Sequence, residues 1–86
     1  MNIQITNEAR SEYSFSIQAT CGKKEVFVSI GSTVSVCQTN NASHRAWRGA
    51  GRTFWSLQEA LAAYKSPEIK AVIDLAARRN IETQAV

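Results

Sequence analysis

No aspartate or glutamate stands between Glu25 and Glu59 in this chain of 86 residues. Histidine occurs once, at His44, and cysteine twice, at Cys21 and Cys37. Two cysteines are too few for a disulfide scaffold, and reduced thiols are the expectation. No apolar run approaches the roughly 20 residues of a membrane span. Met1, Asn2, Ile3 and Gln4 offer neither a basic start nor an apolar stretch, so no secretion signal is expected and the expected location is cytoplasmic. With Cys21, Cys37 and His44 as the soft ligands, the four-ligand set and paired spacing of a structural zinc site are missing. Phosphate-loop and dinucleotide fingerprints are missing too, since Gly49, Ala50 and Gly51 make only a G-x-G. The acids are dispersed, so no carboxylate pair for acid–base work stands out. Cys37 lies seven positions before His44, but a nucleophilic pair also needs contact and an orienting group. The expectation is no catalytic residue, no cofactor and no metal.

What the acid-free stretch holds is residues 40–55, NNASHRAWRGAGRTFW. Arg45, Arg48 and Arg52 have no nearby acid in sequence, and Trp47 and Trp55 sit among them. Planar cations beside aromatic faces suit recognition of anionic or aromatic surfaces. His44, Arg45, Trp47, Arg48 and Arg52 are therefore the candidate partner-binding residues. Trp47 has two readings, core edge or contact surface, and Trp55, next to a helix start, is expected to be partly buried. The net charge of +3 is small for a dedicated nucleic-acid binder.

The apolar pattern changes period once. Ile3 and Ile5 suggest a short first strand, followed by a polar, turn-like stretch over residues 7–12. Residues 13–20 alternate fully, with Tyr13, Phe15, Ile17 and Ala19 on one side. Cys21, Gly22, Lys23 and Lys24 make a turn, and Val26, Val28 and Ile30 then share a face with Phe27 opposite. Gly31 and Ser32 suit a two-residue hairpin turn of type II′. Val34 and Val36 continue inward, and residues 52–54 suggest one more short strand. Beyond them Ser56 and Glu59 form a capping box, and Leu57, Ala60, Leu61 and Tyr64 make a helical stripe. Ser66, Pro67 and Glu68 begin a second helix with the stripe Ile69, Val72, Ile73 and Ala76. Lys70, Asp74 and Arg78 lie on its opposite side, and Asn80 can close it. The expected fold is α+β: an antiparallel meander of three to four strands followed by a two-helix hairpin on one face. It is one domain over 1–86, with a sheet over about 2–55, helices over about 57–65 and 67–79, and a frayed tail over 81–86.

The run NASHRAWRGAGRTFWSLQEALAAYKSPEIKAVIDLA, within residues 34–79, resembles small proteins encoded by phages, prophages and other mobile elements. The shared points are a short meander, an F-x-S-x-x-E-A-L helix start and a second helix opening at Y-K-S. The layout, with Arg78, Arg79 and Asn80 near the end, also resembles some type I anti-CRISPR inhibitors. That resemblance implies a stoichiometric inhibitor of a host defence nucleoprotein complex, acting in the host cytosol as a monomer or strand-edge homodimer, without membrane contact. The alternative is a small DNA- or RNA-binding protein using Arg45, Arg48, Arg52, Lys23 and Lys24.

Overall fold

A computed structural model of the protein describes residues 2–39 and 51–84. Five strands form one antiparallel sheet in sequence order: β1 Ile3–Arg10, β2 Phe15–Cys21, β3 Lys24–Ile30, β4 Val34–Thr39 and β5 Arg52–Phe54. Helices α1 Leu57–Ala63 and α2 Pro67–Gln84 follow. The α+β meander with a helical pair is therefore present, with one strand more than the upper expectation.

The alternation in sequence becomes one buried face. Phe15, Ile17, Ala19 and Cys21 of β2 lie beside Val26 and Val28 of β3, Val34 and Val36 of β4, and Phe54 of β5. Against this face pack Ala60 and Tyr64 from the α1 end and Ile69, Val72, Ile73 and Ala76 of α2. Ile30, Leu57 and Leu61 border the core half-buried. Cys21 belongs to this core at the end of β2 instead of standing in the turn, whereas Tyr13 precedes β2 and is 82% exposed.

Residues 7–12 were expected to turn, yet β1 runs on to Arg10. Its register against β2 shifts between Ile5 and Asn7, leaving Thr6 as the extra residue of a bulge. The shift reverses parity. Ile3 and Ile5 lie opposite Cys21 and Ala19, but beyond the bulge it is Glu8 and Arg10 that lie opposite Ile17 and Phe15. Two charged side chains are thereby turned to the helical side. A polar string reads as turn by composition, although its backbone is paired.

The turns also differ in detail. Cys21 pairs with Lys24 across Gly22 and Lys23, and Gly22 has φ +64° while Lys23 has no positive φ. A positive φ at the first central residue alone is the mark of type II′, so that turn sits here. Gly31 lacks the positive φ; Ile30 pairs with Val34 across Gly31, Ser32 and Thr33, closed by Gly31 N–H donating to Thr33 C=O at 2.9 Å.

Ser56 caps α1 as expected, its Oγ accepting from Glu59 N–H at 3.1 Å. Ser66 Oγ accepts from Ile69 N–H at 3.4 Å ahead of Pro67. Helix α1 stops at Ala63, short of the expected 65, where Tyr64 turns to extended backbone. Helix α2 passes through Asn80 to Gln84, so Asn80 does not close it and residues 81–84 are helical. The reason is tertiary: Arg10 Nε donates to Thr83 Oγ1 at 2.8 Å and Arg10 Nη2 to Asn80 C=O at 2.9 Å, tying the last turns to β1. Lys70, Asp74 and Arg78 are exposed, and the ion pairs of α2 run instead from Lys24 to Glu68 and from Arg79 to Glu8 and Glu82.

Candidate functional site

Strand β5 is where the cationic segment enters the described fold. Val36 pairs with Arg52 and Val34 with Phe54, so both β5 side chains lie on the helical face. The Arg52 guanidinium sits 5.2 Å from the Phe54 ring centroid and 5.4 Å from that of Tyr64. Those two rings meet edge to face at 5.9 Å and 71°. Phe54 and Tyr64 are buried while Arg52 is exposed, so the cation covers the rim of the core and keeps its outer side in water. The Tyr64 hydroxyl is buried without a hydrogen-bond partner among the described residues. Burial pushes this phenol upward, and the charge of Arg52 opposes the shift.

Trp55 follows directly and is 80% exposed, against the expectation of partial burial. Phe54 fills the core position, and Trp55, one residue on and next to the α1 cap, is carried outward. The sequence reading names Trp47 and not Trp55, because a Trp directly before the helix cap Ser56 is expected to be partly buried.

His44, Arg45, Trp47 and Arg48 lie outside the described residues. The flanks of that segment are placed: Thr39 pairs with Glu25, and Gly51 precedes Arg52 beside Cys37. Both flanks lie toward the sheet end that carries the turn of Lys23 and Lys24.

Cys37 lies on the face opposite Val36, half-buried, and burial pushes its thiol upward. That is contrary to the lowered pKa of an activated nucleophile. Among the described residues no group of three or more His, Cys, Asp or Glu side chains could hold a metal ion, and no helix is long and apolar enough to cross a membrane. Comparison with family models, curated proteins and solved structures found no match.

Proposed function

We propose that this chain is a non-catalytic binding protein that docks through the β5 end of its sheet onto an acidic protein surface. The observation that carries the reading is Trp55, 80% exposed and three positions along the chain from Arg52, whose guanidinium is oriented by two aromatic rings. A planar cation already held over two rings loses little freedom on binding, and Trp and Arg dominate interface energetics. Arg45 and Arg48, close in sequence, add charge of the same sign. Burial raises the Cys37 thiol, which does not favour it as a nucleophile. The resemblance to anti-CRISPR inhibitors points to a host defence nucleoprotein complex as the partner class.

The test is capture from a host lysate, with and without nuclease, by wild type and by Arg52→Glu/Trp55→Ala. Nuclease-resistant capture of one complex, lost in the variant, is the expected result. Tight binding of pure wild type to random DNA or RNA, falling with a log–log salt slope of about −0.7 to −0.9 per phosphate, would replace this reading with direct nucleic-acid binding.

A further inference from the structure

The four lysines of the chain, Lys23, Lys24, Lys65 and Lys70, are separated by up to 47 positions in sequence, yet the β2–β3 turn and the start of α2 that carry them meet at one end of the fold. Lys23 and Lys24 stand at the β2–β3 turn. Lys24 Nζ donates to Ser66 Oγ at 2.8 Å, Ser66 follows Lys65 in the chain, and Lys70 N–H closes the first turn of α2 on the Ser66 carbonyl at 3.1 Å. Asp74 lies one helical turn beyond Lys70, and two acids stand nearer the β2–β3 turn. Glu25 is buried and accepts from Gln18 Nε2 at 3.1 Å, and Glu68 lies 3.9 Å from Lys24. Lys23, Lys65 and Lys70 are exposed and form no ion pair with a described residue.

Between the turn and the start of α2 runs a cleft of about 580 Å³, lined by Asn2, Cys21, Lys23, Lys24, Pro67 and Glu68. That volume is in the range of ligand clefts. We infer that this cleft and its lysine rim form a docking surface for an acidic peptide segment of a protein partner. The inference rests on the reading of the chain as a protein-binding module and names a second contact for it.

Charge complementarity selects an anionic occupant, and the lining selects a peptide over a nucleic acid. Pro67 and the lysine methylenes offer apolar surface to side chains. The Glu68 carboxylate accepts from Ser66 Oγ at 3.1 Å and is held below its ordinary range by its own backbone N–H and by Ser66, so it is charged in the cleft at neutral pH. A phosphate backbone meets repulsion there. A peptide can place a carboxylate on Lys23 and turn a backbone N–H toward Glu68.

The experiment is an amide-resolved NMR titration of the full chain with a short acetylated peptide of glutamates around one leucine, and separately with a thymidine oligonucleotide of equal charge. Expected are peptide-induced shifts confined to Cys21, Gly22, Lys23, Lys24 and Glu68, and an affinity lowered about tenfold in Lys23→Glu/Lys65→Glu. The neutral Lys23→Gln/Lys65→Gln pair should lose less, and unchanged amide positions elsewhere report that each variant is folded. Absent local shifts, shifts unchanged in the charge-reversed variant, or tighter oligonucleotide binding at the same amides would each overturn the inference. The titration uses pure protein, so its failure leaves the lysate-capture reading of Arg52 and Trp55 standing, and the converse holds.

Discussion

Glu8 and Arg79, 71 positions apart, meet through two parallel hydrogen bonds, Arg79 Nε donating to Oε1 at 2.8 Å and Nη2 to Oε2 at 2.9 Å. The pair exists because the bulge at Thr6 reverses the parity of β1 and turns Glu8 and Arg10 toward α2. Deleting Thr6 removes only the extra residue, so Glu8 and Arg10 should keep their places opposite Ile17 and Phe15. The expected outcome is that the last α2 turns, residues 79–84, keep their amide-exchange protection in the deletion variant and lose it in Glu8→Ala/Arg10→Ala. Unchanged protection in the double variant would show that these two side chains do not hold the end of α2.

The same pair gives a pH dependence. The hydrogen bonds from Arg79 are the main cause holding the Glu8 carboxyl below its ordinary range. A depressed carboxyl pKa in the folded state stabilises the fold above the unfolded pKa of about 4.3, and that contribution is lost as pH falls through the folded value. Glu8→Gln should therefore lower the melting temperature at pH 7 by at most a few degrees, since half-exposed ion pairs contribute little. The difference from wild type should shrink below about pH 4. A difference that is constant from pH 7 to pH 2 would show that charge is not involved.

The core strands and both helical stripes were legible because burial on one face imposes period two or 3.6, and Phe15, Val28, Ile69 and Ile73 fall where those periods put them. The outer half of β1 was not, because its pairing is a backbone property and Thr6 breaks the side-chain period. The end of α2 was missed for a related reason: Asn80 reads as a terminator locally, while Arg10 holds it from a distant strand. At the site, the sequence showed a cationic aromatic segment but not that Trp55 faces water or that the lysines converge. Both depend on contacts between residues far apart in the chain.

Ile73 is fully buried between α2 and the sheet. Ile73→Ala should cost about 2–4 kcal/mol, a large share of the stability of so small a domain. Urea unfolding monitored by circular dichroism measures it. A cost under about 1 kcal/mol would mean that this layer is loosely packed.

Gly51 approaches β4 so closely that a Cβ there would stand 2.8 Å from Cys37 Sγ. Gly51→Ala should destabilise by about 1–3 kcal/mol through overpacking. Cys37→Ala removes the obstructing sulfur, so the double variant should recover most of that loss, a coupling that a double-mutant cycle reads directly. Additive losses would place the strain in the backbone of Gly51 instead. The single Cys37→Ala variant should retain partner capture in full, since burial raises the thiol instead of activating it.

Trp55 and Arg52 should separate stability from binding. Trp55 is 80% exposed, so Trp55→Ala should change stability by no more than about 0.5 kcal/mol while weakening partner capture strongly. Arg52 has two roles, because its guanidinium lies against the Phe54 and Tyr64 rings as well as presenting charge. Arg52→Lys keeps the charge but loses the planar stack, so it should weaken capture less than Arg52→Glu and more than a change that preserved both. In a Trp47→Phe background Trp55 is the sole tryptophan. Its emission should start at a water-exposed wavelength and move to the blue when the captured partner is added. An emission unmoved at saturating partner would place the interface elsewhere, and a large stability loss in Trp55→Ala would return Trp55 to the core.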